Sequence, residues 1–240
     1  MYYYGFDMTY VVLVLPCVIL AMIASYRVNS TFKKYSAQQS RRRITGAQAA
    51  ERVLRNHGVT NVRIEQVSGN LTDHYDPKAN VIRLSSSVYG DTSTAAIGVA
   101  CHEAGHAVQY AQNYAPIKLR AAIIPVTNIG SRLAMPLILV GLLINSLIAV
   151  SADVGYAFVY IGIACFGLSL VFQLITLPVE FNASRRAIRA IWDSELLTDE
   201  ELKGAKKTLT AAAMTYVAAA AVALAQLLRL LLLFGRRRRD

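Results

Sequence analysis

Residues 133–179 read LAMPLILVGLLINSLIAVSADVGYAFVYIGIACFGLSLVFQLITLPV, and one charge, Asp153, interrupts them. Twenty uncharged residues precede that aspartate and twenty-six follow it. At about 1.5 Å of rise per residue, each half is long enough for a hydrocarbon layer about 30 Å thick. The stretch therefore reads as a transmembrane hairpin, 133–152 and 154–179, with its turn Ser151-Ala152-Asp153-Val154-Gly155 on the far side. The turn carries no Lys or Arg, whereas Arg185, Arg186 and Arg189 follow the return. That asymmetry is the one expected of a cytoplasmic landing.

Working outward, residues 8–26 are also uncharged and make a first span. The start Met-Tyr-Tyr-Tyr-Gly-Phe-Asp has no basic region, which argues against a cleaved signal peptide. Arg27, Lys33, Lys34 and the run Arg41 to Arg43 place the following residues in the cytoplasm. Tyr2, Tyr3, Tyr4 and Phe6 suit the outer interface. Hydrophobic residues make up 55% of the chain and charged ones 17%, too apolar a mixture for an ordinary soluble domain. The net charge of +10 sits in clusters flanking apolar spans. It reads as anchorage on anionic lipid rather than as a nucleic-acid surface. Cys17, Cys101 and Cys165 form no C-x-x-C pair and suggest neither disulfides nor a zinc knuckle.

Residues 27–115 read as a small cytoplasmic portion. Thr45 caps a helix through Asn56, stopped by Gly58. Residues 62–67 and 80–85 alternate as strands and are expected to pair as a hairpin-like sheet. A further helix opens near Thr92 or Ser93 and runs to about Asn113, with Pro116 marking its end. It carries His102-Glu103-Ala104-Gly105-His106, the H-E-x-x-H pattern. Residues four apart share one helix face, so both imidazoles reach one metal ion, and Glu103 is placed as a general base. Cys101 points away from His102 and reads as a packed residue. The segment 118–132, broken by Pro125, lies in the interface or lengthens the next span.

A catalytic zinc takes three protein ligands and leaves a position for water. Gln109 and Gln112 stand where the H-E-x-x-H-x-x-G-x-x-H variant needs Gly and His, so that variant is excluded. From Ala107 to Ala152 there is no acid and no histidine. Asp153 lies across the bilayer. Glu180, after Pro178 and at the start of a helix expected over 179–192, returns to the face from which the hairpin left. It is the expected third ligand, with His57 and His74 as alternatives. Residues 180–207 form further cytoplasmic helices, and Thr198 with Glu201 is a capping box. Residues 208–234 are an apolar helix that either spans or lies bent on the surface. Spanning would export Arg236 to Arg239, against the positive-inside rule.

The segments His-Glu-Ala-Gly-His-Ala-Val-Gln (102–109) and Leu-Pro-Val-Glu-Phe-Asn-Ala-Ser-Arg-Arg-Ala (177–187) resemble the YugP-type neutral zinc membrane peptidases. More distantly the chain is similar to HtpX-type and CAAX-processing zinc proteases. Those carry a glutamate-x-x-Ala-Asp signature whose glutamate completes the metal site. Matched by position, Glu180 is that glutamate and Ala183 the alanine, while Ser184 stands at the aspartate. The resemblance implies that Ser184 or Asn182 supplies the hydrogen bond to a ligating histidine.

The expected fold is mainly α, a polytopic helical membrane protein with a small cytoplasmic α+β portion beside the metal-binding helix. The expected activity is that of a zinc endopeptidase in a bacterial plasma membrane, with one Zn2+ ion and its site facing the cytoplasm. Its partners would be a peptide or membrane-protein substrate and the lipid bilayer, with a second copy or a membrane adaptor as further candidates. His74, Tyr75 and Arg185 are the candidates for stabilising the oxyanion. Two rival readings remain: a membrane scaffold with a structural zinc, and a zinc hydrolase of lipid or peptidoglycan amides.

Overall fold

A computed structural model of the chain describes residues 7–147 and 152–235. The order is α1 (Leu15–Ser36), preceded by a π-helical turn at Tyr10–Val14, then α2 (Gly46–Asn56), β1 (Arg63–Val67), β2 (His74–Asp76) and β3 (Val81–Ser85). There follow α3 (Ser86–Tyr89), α4 (Thr94–Ala111), α5 (Ala115–Leu147), α6 (Ala152–Asp193) and α7 (Asp199–Gly235). Among the described residues, four helices are long and apolar enough to cross a membrane: Tyr10–Ser36, Ala115–Ser146, Asp153–Asp193 and Asp199–Gly235. The chain is thus a mainly α membrane protein with a small sheet, as its hydropathy implies. The aromatic cluster at 2–6 and the arginine run at 236–239 lie outside the described residues.

Contacts divide the chain into two units. The first takes residues 1–22, 119–176 and 216–240 and holds the apolar segments. Its core gathers Ile138, Val159, Ile163, Leu230 and Phe234. Helices approach closely where side chains are missing: a Cβ on Gly162 would meet the Ala134 carbonyl at 2.7 Å, and one on Gly141 the Gly155 carbonyl at 2.5 Å. Asp7 pairs with Arg229, whose guanidinium also lies 5.5 Å over the Tyr10 ring. The Thr9 hydrogen bond and then that guanidinium hold the Asp7 carboxyl down at about 2. This pair sets the end of α7 beside the start of the first apolar helix. The 208–234 segment is part of one unbroken helix, Asp199–Gly235, long and apolar enough to cross a membrane.

Three further expectations change here. The turn of the apolar hairpin is not Ser151 to Gly155, because α6 already begins at Ala152. Asp153 sits in its first turn, where a negative charge is favoured by the helix dipole. Ser151 itself lies outside the described residues. At the other end α6 does not restart after Pro178 but carries that proline inside a 42-residue helix. Glu180 is therefore a mid-helix residue, not a helix-start one. Likewise 118–132 extends the span, since α5 runs unbroken through Pro125 and Pro136, and Pro116 lies in its first turn rather than closing α4.

The second unit takes residues 23–118 and 177–215. Thr45 caps α2 as expected and, with Gln48, closes a full capping box, and Gly58 follows the helix with φ +69°. Thr198 accepts from Glu201 N–H, and Glu201 accepts from Thr198 N–H, at the start of α7. The sheet is not a hairpin. Its order is β1-β3-β2, with β1 parallel to β3 and β2 antiparallel to it. The chain between β1 and β3 is long enough for a crossover, and β2 forms inside that crossover, which a hairpin reading of two strands overlooks. Arg83 on β3 holds Asp76 on β2 at 2.8 Å, and this hydrogen bond draws the Asp76 pKa down to about 2. Ile82, Leu84, Ala100, Ala104, Ala187 and Ile191 belong to one core in which α4 is central.

Candidate metal centre

Helix α4 starts where the Ser93 hydroxyl accepts from Ala96 N–H. It is buried along nearly its whole length, including Glu103, His106 and Gln109, and His102 is half-buried. A helix this enclosed needs small residues wherever a neighbour's backbone arrives. Gly105 is such a place: a Cβ there would meet the Ala183 carbonyl of α6 at 2.8 Å. The same closeness brings Glu180, three residues earlier on α6, against the two histidines. Ala183 has no exposed surface, so a larger residue there would separate the two helices. Cys101 is fully buried, and burial pushes its thiol pKa far up, as befits a packed residue.

Three donors converge. His102 Nε2 lies 3.3 Å from Glu180 Oε2, and His106 Nε2 lies 3.6 Å from the same oxygen. The ligand atoms of His102, His106 and Glu180 all fall within 4.8 Å of one another. Tetrahedral zinc with bonds of about 2.0–2.1 Å requires donors about 3.3 Å apart, so this set fits the ion. The Nδ1 atoms are engaged elsewhere, which leaves both Nε2 atoms for a metal. His102 Nδ1 is 3.1 Å from Ser184 Oγ, and His106 Nδ1 is 2.9 Å from Gln109 Oε1. Burial disfavours a charged His106, yet its bonds to Glu180 and Gln109 and the Glu103 and Glu180 charges hold its pKa above the ordinary value. Protons thus compete with a metal at this ring.

Glu103 is buried at 8% exposure, and among the described residues no side chain hydrogen-bonds its carboxylate. Asp73 lies close enough for the Glu103 charge to act on it. Burial first, and that charge with it, raise the Asp73 pKa, against hydrogen bonds from Ser85 N–H at 2.7 Å and Ser85 Oγ at 3.1 Å.

Of the residues expected from sequence, His102, Glu103, His106, Glu180 and Ser184 come together. Asn182 does not bond a histidine; its Oδ1 accepts from Gln109 Nε2 at 3.0 Å and from Arg186 Nε at 2.7 Å. His74 is exposed on β2, its Nδ1 held 2.8 Å from the Thr72 carbonyl, and it stands outside the donor cluster. His57 is likewise outside the cluster, its Nδ1 at 2.8 Å from the Val53 carbonyl. Arg185 is exposed, and it is Arg186 that enters the network. Gln109 is the residue that sequence reasoning missed. It served there only to exclude a longer motif, although its place three residues after His106 put it on the ligand face all along.

A family model described as "Putative neutral zinc metallopeptidase" matches residues 10–235. The chain belongs to this family. It is also 43% identical over 227 residues to the "Putative membrane protease YugP" of Bacillus subtilis (strain 168), covering 95% of this chain and 97% of that one. No solved structure matches the chain. Membership in a zinc metallopeptidase family and the convergent His, His and Glu donors agree on Zn2+ as the cofactor. They also accord with the resemblance already carried by residues 102–109 and 177–187.

Proposed function

We propose that this neutral zinc metallopeptidase is an integral-membrane endopeptidase whose site opens to the cytoplasm. The observation that carries the reading is the open donor set. His102, His106 and Glu180 supply three ligands, and among the described residues the cluster contains no fourth His, Cys, Asp or Glu. A structural zinc would want a closed set of four, so the scaffold reading is disfavoured. A zinc ion held there supplies Lewis acidity, lowering the pKa of bound water to about 7 and polarising the scissile carbonyl.

The protein's own groups do the rest. Glu103 lies one residue from His102 on the same buried turn, with its carboxylate unclaimed. It takes a proton from the attacking water and delivers it to the amine as the C–N bond breaks. Ser184 and Gln109 keep the two imidazoles turned with Nε2 inward. The oxyanion partner is drawn from Tyr75, His74 and Arg185. Tyr75 has the better standing of these, since β2 packs on α4 and the Tyr75 and Tyr110 rings lie 5.6 Å apart.

Purified protein should cleave an unfolded protein such as casein. A strong chelator should abolish that cleavage and added zinc should restore it. Cleavage of an amidated lipid or a peptidoglycan amide in place of any peptide would favour the non-peptide hydrolase instead.

The cytoplasmic side follows from charge. Arg27, Lys33, Lys34 and Arg41 to Arg43 follow the first apolar segment, and Arg185, Arg186 and Arg189 follow the return of the hairpin. Arg229 at the other end is neutralised by Asp7. With four crossings, Asp7 and Gly235 both lie outside, an orientation that the Arg236 to Arg239 sequence opposes by the same rule. Reporter fusions should therefore read external at Gly235 and cytoplasmic at Asn113. The reverse pattern would move the site to the outer face. Substrates of this site would be membrane proteins with loose cytosolic segments, as in quality control.

A further inference from the structure

We propose that Gln109 is a positioning residue of the metal centre, setting the His106 ring and fastening it to the helix that carries Glu180. The proposal rests on the reading of His102, His106 and Glu180 as zinc ligands. Gln109 is fully buried, and every polar atom of its amide has a partner. Its Nε2 donates to the Val179 carbonyl at 2.9 Å and to Asn182 Oδ1 at 3.0 Å. Arg186 has only donors, so its 2.7 Å bond to Asn182 identifies the atom it faces as the amide oxygen. Gln109 Nε2 must then be the nitrogen, since it too faces that oxygen. Its Oε1 is left to accept from His106 Nδ1 at 2.9 Å.

The direction of this chain has a consequence for the ring. With an acceptor at Nδ1, His106 carries its proton there and keeps the Nε2 lone pair for the metal. The flipped amide would set an N–H against Nδ1 and favour the wrong tautomer. Arg186 holds the outer end in place, through Asn182 and through its 2.5 Å bond to Gln112 Oε1 on the far end of α4's turn. The two residues that Gln109 and Arg186 grip on α6, Val179 and Asn182, bracket Glu180. One buried amide thus orients a ligand on α4 and pins the backbone around the ligand on α6.

The test uses the full chain in detergent, reading zinc affinity by chelator competition and the visible spectrum of the cobalt-substituted protein. Gln109→Leu keeps the side-chain bulk, and zinc should bind about 10–100-fold more weakly, as for lost outer-shell partners. The cobalt bands should shift as well. Asn182→Leu, which leaves only the Val179 carbonyl to hold the Gln109 amide nitrogen, should weaken zinc by about 10-fold. Asn182→Asp should stay within about threefold of wild type, because Asn182 serves both its partners as an acceptor.

A role confined to helix packing would lower the melting temperature of these variants without moving the cobalt bands. Wild-type zinc affinity and cobalt spectrum in Gln109→Leu would overturn the inference. If that variant does not fold, the Asn182 pair decides: equal affinity in Asn182→Leu and Asn182→Asp would overturn it too. Equal zinc affinity in wild type and His102→Ala would instead reject the metal-site reading, and this inference with it.

Discussion

Glu103→Gln is expected to lower peptide hydrolysis by about 10²–10⁴-fold, the usual contribution of a positioned general base. The substitution removes one ionisable oxygen and little else. Glutamine matches glutamate in volume, and among the described residues no side chain hydrogen-bonds this carboxylate, so no partner is orphaned. Glu103 is also not one of the three convergent donors. Zinc content should therefore stay at the wild-type level while turnover collapses. The measurement is casein cleavage alongside metal analysis on the same preparation. Retained cleavage would reject Glu103 as the base; loss of metal together with cleavage would mean that it belongs to the donor set.

Glu180→Ala should act on the metal itself. It deletes the one donor that lies within 3.6 Å of both histidine Nε2 atoms. The loss in zinc affinity should exceed the roughly 10–100-fold expected of an outer-shell partner. Alanine is the best helix former, and the residue sits well inside a continuous helix, so α6 should persist. Removing the carboxylate also leaves the buried His106 and the half-buried His102 without the carboxylate that faces both rings. Zinc per mole of protein, with circular dichroism to verify the helix, reads the result. Full occupancy in Glu180→Ala would place the third ligand elsewhere.

These two experiments differ in what they ask of the local fold. Glu103 and the histidines share one helix, so their mutual placement depends only on α4 being helical. Glu180 reaches them across 74 residues of chain and depends on the closeness of α4 and α6 at Gly105 and Ala183. An enlarged residue at either position should therefore mimic Glu180→Ala, not Glu103→Gln.

Much of this protein is legible in its sequence. Uncharged runs of about twenty residues announce their helices, because the bilayer demands internally satisfied backbone over a known length. The His102 to His106 spacing announces a metal face, because helix periodicity alone sets it. Thr45 as a cap and Thr198 with Glu201 as a capping box announce helix starts through bonds made within a few residues. Glu180 could be reached by elimination, because the chain offers so few donors between 107 and 179. Its helical setting could not. Pro178 looked like a helix boundary, yet α6 passes through it; local proline preference yields where neighbouring helices hold the segment.

What sequence alone determined is the set of features whose cause lies within a few residues: which segments are apolar, which face the histidines share, where helices begin. Tertiary structure decided the rest. The parallel pairing of β1 with β3, the Asp7–Arg229 pair and the turning of Gln109 toward His106 each join residues brought together only by packing. Gln109 is the clearest case. Read locally it is a polar residue on a helix, with no sign of its partners. Buried between α4 and α6, it must satisfy an entire amide, and the groups within reach are His106, Val179 and Asn182.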